Sequence, residues 1–153
     1  RGLGDVYKRQ VILLDGDDLR DVLFVDSTDT TLHDRFSRLS LAMRYSRLCK
    51  LISSQGVTVV IATISLFKEV HQWNRKNLPG YFEVYLNVPI EELRRRDPKK
   101  IYNRFYAGEL KNVAGIDLSI DEPESPDCLI KFNPDLGLDS IVDNLILKLN
   151  EGI

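Results

Sequence analysis

Val11-Ile12-Leu13-Leu14-Asp15-Gly16-Asp17-Asp18-Leu19-Arg20 opens with four consecutive apolar residues and then turns abruptly acidic. A run that short, closed by a glycine turn, predicts a buried parallel strand that delivers carboxylates at its C-terminal end. Asp17 is placed to cap a short helix running through Phe24. Downstream, Ser27 to Thr31 is polar and turn-like. From Asp34 onward Leu39, Leu41, Ala42, Tyr45, Leu48, Cys49 and Ile52 recur at helical spacing, and Gly56 supplies a stop.

The same alternation continues to the C-terminus. Val57 to Thr63 is β-branched and nearly all apolar, which predicts a second strand buried on both faces. A helix follows across Leu66 to Asn77, before Pro79-Gly80. Tyr81 to Val88 reads as the next strand, centred on Phe82-Glu83-Val84-Tyr85-Leu86. Pro89 starts a helix that breaks at Asp97-Pro98, and Lys99 to Ala107 forms a charged helical segment. After a loop rich in Gly, Asp, Glu and Pro come a short strand, Cys128 to Phe132, and a closing amphipathic helix, Leu136 to Leu149. Strands alternating with helices predict an α/β fold, a parallel sheet with helices on both faces. Ligands of such sheets bind beyond the C-terminal ends of the strands. That singles out Asp15 to Arg20, Thr63 to Lys68 and the loop after Val88.

Composition narrows the partners. The 153 residues are 43% apolar and 29% charged, with a net charge of −2, as expected of one compact domain. With no basic excess, composition offers no argument for nucleic acid or an anionic membrane. No apolar run reaches membrane-spanning length, and no secretory signal is visible. Cys49 and Cys128 are far apart and in no metal or redox spacing, so two reduced thiols in a cytoplasmic protein are expected. His33 and His71 have no ligand-type partners at metal spacing, and Trp73 and Tyr81 read as core or groove aromatics.

Residues 1–10 fit no element. Asp5-Val6-Tyr7-Lys8-Arg9-Gln10 looks like an in-frame translation of a transposon adapter from sequencing-library preparation, the alternative being a natural loop. The expectation is a scar over 1–10 and a partial domain over 11–153; reading the source DNA across codons 5–10 decides it.

At the strand ends the sequence resembles the adenylylsulfate kinase family. Leu14-Asp15-Gly16-Asp17, followed by Arg20, is similar to a family signature. Ile64-Ser65-Leu66-Phe67-Lys68 is similar to the family's Ile-Ser-Pro-Phe-Arg segment. Arg96-Asp97-Pro98-Lys99 with Tyr102 resembles its Arg-Asp-Pro-Lys-Gly-Leu-Tyr lid. Ala107-Gly108-Glu109-Leu110-Lys111-Asn112, Gly115-Ile116-Asp117, Glu122-Pro123 and Pro126 continue in family order. The resemblance covers about Leu14 to Ile130.

The resemblance implies a P-loop kinase-type three-layer fold with its first strand and phosphate loop missing. It implies an enzyme that moves the γ-phosphate of ATP, with Mg2+, to the 3′-hydroxyl of adenylyl sulfate in sulfate assimilation. Its partners would be small molecules, with a homodimer left open. Asp17 would meet the acceptor hydroxyl, and Asp15 would act through magnesium-bound water; two carboxylates two residues apart can divide those duties. Arg20 and Arg38 would grip the acceptor's phosphosulfate group, Arg35 being the competitor of Arg38. Ile64 and Ser65 would line the acceptor site, with a plain turn or backbone role also open to Ser65. The cationic run Arg94-Arg95-Arg96, Lys99-Lys100 is either a solvated face or the lid; as a lid, Arg96 packs near the ATP base and Lys99 reaches the acceptor.

Three departures qualify this. The family's Arg-x-x-Asn pair has Leu41 in place of Asn. The Phe that stacks on the acceptor's adenine is Val113, and its partner Phe has no counterpart among Ser27 to Leu32. Each such stack is worth about 1–3 kcal/mol, so a related kinase with another small acceptor stays open. Finally, a phosphate loop has the form G-x-x-x-x-G-K-[ST]. Gly2 and Gly4 do not build it, and no Gly-Lys-Ser or Gly-Lys-Thr occurs. The 153 residues alone are therefore expected to bind ATP weakly and not to turn it over, and, with the resemblance placing the missing strand inside the sheet, to be poorly stable or aggregation-prone. A non-catalytic nucleotide-binding module is the rival from another class.

Overall fold

The computed structural model describes residues 10–23 and 34–151, the side chain of Glu151 excepted. Residues 1–9, Phe24, the Ser27–Leu32 loop and His33 lie outside the described residues. The chain divides into two compact units, one up to Pro79 and one from Gly80.

In the first unit the β-branched runs form the expected strands. Val11–Asp15 (β1) pairs in parallel with Thr58–Ala62 (β2), with Asp15 opposite Ala62. Parallel pairing demands a long crossover, supplied by helices Gly16–Leu23 (α1) and Arg35–Ser53 (α2). Asp34 caps α2, its Oδ1 accepting the Ser37 amide at 2.7 Å. Gly56, at φ 81, takes the left-handed turn just beyond that helix, a conformation that costs glycine little. Lys68–Asn77 (α3) then packs on α2 around a core of Ala42, Phe67 and Val70.

The second unit repeats the logic. Val84–Asn87 (β3) pairs in parallel with Cys128–Lys131 (β4), and Ile90–Arg96 (α4) and Ile101–Tyr106 (α5) lie between them in sequence. Leu138–Glu151 (α6) packs against β4. The break at Asp97-Pro98 is a built corner: Asp97 Oδ1 and Oδ2 accept the Tyr102 and Asn103 amides at 3.2 and 3.1 Å, capping α5 from below.

Two expectations need correction. The first two strands are parallel but not buried on both faces: Val11 is 59% exposed, Leu13 72% and Val60 49%. Each sheet has only two strands among the described residues, and two strands cannot cover every apolar side chain they carry. Helix α3 starts at Lys68 and β3 at Val84, later than hydrophobicity suggested, so Phe82 and Glu83 precede the strand. Cys49 and Cys128 are buried free thiols, and burial pushes the Cys49 thiol up. Among the described residues no helix is long and apolar enough to cross a membrane.

Candidate active site

The first unit gathers a polar cluster where β1 and β2 end. Asp15, the last residue of β1, turns its carboxylate onto the start of α1, where Oδ1 accepts the amide of Asp17 at 2.8 Å and of Asp18 at 3.4 Å. The cap is thus Asp15 rather than Asp17, which already lies inside α1. The reason is reach: a cap serves amides two and three residues on, and from Asp15 those are the exposed N-terminal donors of α1. Asp15, Asp17 and Arg20 are all exposed.

Gly16 sits between the two carboxylates and is held tightly against β2. A Cβ there would meet Thr63 Cγ2 at 3.0 Å and the Ala62 carbonyl at 3.1 Å. The turn therefore lies against the end of β2, where Ser65 Oγ donates to Thr63 Oγ1 at 2.9 Å. The Ser65 carbonyl accepts the Phe67 amide at 2.9 Å and lies 3.0 Å from His71 Nε2. Ile64 projects outward, 74% exposed. From α2, Tyr45 donates its hydroxyl to the Gly16 carbonyl at 3.0 Å. Sequence periodicity marked Tyr45 as core, and it is 5% exposed; nothing in the spacing signals the bond its hydroxyl makes.

Arg38 and Arg35 differ in surroundings. Arg35 pairs with Glu69 of α3 at 3.6 Å and lies 5.0 Å over the Phe67 ring, so it ties two helices together. Arg38 is half-buried in the next turn of α2. Leu41, at the family's Asn position, is 8% exposed and adds to the apolar side of α2.

In the second unit the cationic run is organised by one carboxylate. Glu92 accepts from Arg95 Nε and Arg96 Nε, each at 2.7 Å. These bonds, that from Arg95 first, hold the Glu92 carboxyl down to about 2. Arg96 also lies 5.2 Å over the Phe132 ring beyond β4, and Arg94 stacks on Tyr106 while donating to its hydroxyl. Lys99 is exposed at the corner that Asp97 builds. Val113, at the family's Phe position, is 8% exposed; Asp117 clamps the loop by accepting the Asn112 and Val113 amides at 2.8 and 2.5 Å.

Chemically, the first unit offers two hard carboxylates with nearby cation and hydroxyl groups. That donor set suits Mg2+, which takes one or two carboxylates together with waters and substrate phosphates. Bound there, the ion would supply charge neutralisation. Among the described residues no cluster of three or more His, Cys, Asp or Glu could enclose a metal.

The model of the family described as Adenylylsulphate kinase matches residues 4–131. The chain belongs to the adenylylsulphate kinase family. It is 35% identical over 141 residues to a cytidine diphosphoramidate kinase of Campylobacter jejuni, covering 92% of this chain and 79% of that protein. It is 37% identical over 144 residues to an adenylyl-sulfate kinase of Clostridium acetobutylicum, covering 91% and 68%. The fold matches a Mycobacterium tuberculosis APS kinase in complex with AMPPNP and APS, with a TM-score of 0.77, 28% identity, and 93% and 80% coverage. The α/β kinase fold of the family is therefore that of this chain.

Proposed function

We propose that this family member transfers the γ-phosphate of ATP to a hydroxyl of a cytidine diphosphate-type acceptor, cytidine diphosphoramidate being the leading candidate. A pair of apolar residues at acceptor positions counts against adenylyl sulfate. Where the family resemblance calls for an adenine-stacking Phe and a polar Asn, this chain has buried Val113 and buried Leu41. Neither offers a ring face or a hydrogen bond to adenylyl sulfate, and losing such a stack costs about 1–3 kcal/mol. The observation that carries the cytidine acceptor is the 35% identity to the Campylobacter jejuni cytidine diphosphoramidate kinase, over 79% of that protein.

In this reading Asp17 orients the acceptor hydroxyl, and Asp15 holds the turn and faces magnesium. Arg20 and Arg38 meet the acceptor's anionic bridge, with Ile64, Ser65 and Lys99 as further contacts, and Arg96 lies against the ATP base. Adenylyl sulfate remains the second reading, favoured by the identity to adenylyl-sulfate kinases. A cytoplasmic, small-molecule role fits both.

The test uses the full-length protein. It is incubated with ATP, Mg2+ and either acceptor, and the new phosphate ester is located by 31P NMR. The protein is expected to form a phosphorylated cytidine diphosphoramidate. Exclusive phosphorylation of adenylyl sulfate would reverse the assignment.

A further inference from the structure

We propose that Tyr45 is a positioning residue for the phosphoryl acceptor: its hydroxyl, donated to the Gly16 carbonyl at 3.0 Å, fixes the turn that presents Asp17 and Arg20. The proposal rests on the kinase reading above and adds to it a residue whose sequence pattern says only that it is core.

Tyr45 lies on α2, 29 residues from Gly16 in sequence, and is 5% exposed. A position wanted only for apolar filling is served as well by Phe; a buried phenol needs a partner. The partner here is the backbone of the one residue between the two carboxylates. Gly16 is already pressed against Ala62 and Thr63, so one side of the turn rests on β2 and Tyr45 ties it from α2. Asp15 secures the following amides. With those three restraints Asp17 leaves the turn in one direction, and holding a catalytic group in one direction is where a small displacement costs much rate.

The electrostatics keep the hydroxyl a donor. Burial pushes the Tyr45 phenol up, the Arg20 guanidinium beside it opposes that, and Asp17 and Asp15 reinforce it. The phenol therefore stays protonated across the neutral range, and it answers to the same three charged groups that define the cluster.

The test is Tyr45→Phe in the full-length protein, which keeps the ring and removes the hydroxyl with its bond to Gly16 and its contact with Arg20. Expected are a kcat about tenfold lower, the scale of one hydrogen bond, and faster amide exchange at Asp17 and Asp18. The KM for ATP should move less than about twofold. Cys49→Ala, one turn along the same buried side of α2, is the control: it should lower Tm yet leave kcat and the exchange at Asp17 unchanged. Tyr45→Phe with kcat within twofold of wild type, or with unchanged exchange at Asp17 and Asp18, overturns the positioning role while leaving the kinase reading intact. If the wild-type protein phosphorylates neither acceptor, the kinase reading fails and this role fails with it.

Discussion

The Asp15 carboxylate accepts the backbone amide of Asp17 at 2.8 Å, so one acidic residue of the pair holds the other in place. That relationship separates their duties. Asp15 is committed to the helix start, whereas Asp17 is an exposed carboxylate inside the first turn of α1. Asp15→Ala should therefore cost about 1 kcal/mol of stability through loss of the cap, as well as activity. Asp17→Asn, which keeps the side chain's size and one acceptor oxygen, should cost less Tm than Asp15→Ala and lower kcat by about a hundredfold or more, the usual scale for a group that handles a reacting proton. Thermal melts and steady-state kinetics on both variants check the division; equal loss of Tm in both would contradict it.

Glu92 governs the cationic run. Its carboxyl lies at about 2 instead of the ordinary 4.5 because Arg95, then Arg96, donate to it. A carboxyl depressed by folding contributes stability that is fully present above its unfolded value and is lost as pH falls through its folded value. The Tm difference between wild type and Glu92→Gln should thus be constant well above pH 4.5, shrink as the pH falls below it, and disappear only as the pH passes below about 2. A difference that persists unchanged at pH 2 would show that the pair is not ionic in the way described.

Leu41 tests whether the departure from the family is structural. Restoring the family's side chain with Leu41→Asn places an amide at a site only 8% exposed on the apolar side of α2. The expected outcome is a loss of about 1–3 kcal/mol, read by denaturant unfolding, with no gain in use of adenylyl sulfate. A neutral effect on stability accompanied by better adenylyl sulfate turnover would return Leu41 to the acceptor site.

Much of this was legible in residues alone, for reasons that differ by element. β1 and β2 are short apolar runs with β-branched residues, and α2 carries a long helical period with Asp34 and Gly56 at its ends. Such signals are local, so strand and helix order followed from them. Burial did not, because it depends on what covers a strand: Leu13 looks like a core residue by sequence and is 72% exposed. The cap passed from Asp17 to Asp15 because spacing alone does not say which carboxylate stands at the helix start. The carboxylates, Arg20 and Ser65 were marked by motif, yet the Tyr45 bond to Gly16 was invisible, since it joins residues far apart through a hydroxyl on an otherwise apolar face.

Asp97 links the lid-like corner to the helix after it. Both of its carboxylate oxygens cap α5, so Asp97→Ala should free the corner that carries Lys99. The expected result is a destabilisation of about 1 kcal/mol together with a raised KM for substrate, measured by melts and initial rates. A raised KM without any change in Tm would place Asp97 in direct substrate contact instead.

The most direct measurement of the central claim is the ratio of kcat/KM for cytidine diphosphoramidate to that for adenylyl sulfate, taken on the full-length protein with ATP and Mg2+. The likeness to the cytidine diphosphoramidate kinase, with no stacking ring at Val113 and no polar contact at Leu41 for adenylyl sulfate, predicts a ratio above about tenfold in favour of the cytidine acceptor. A ratio below one would contradict it and assign this member to adenylyl sulfate.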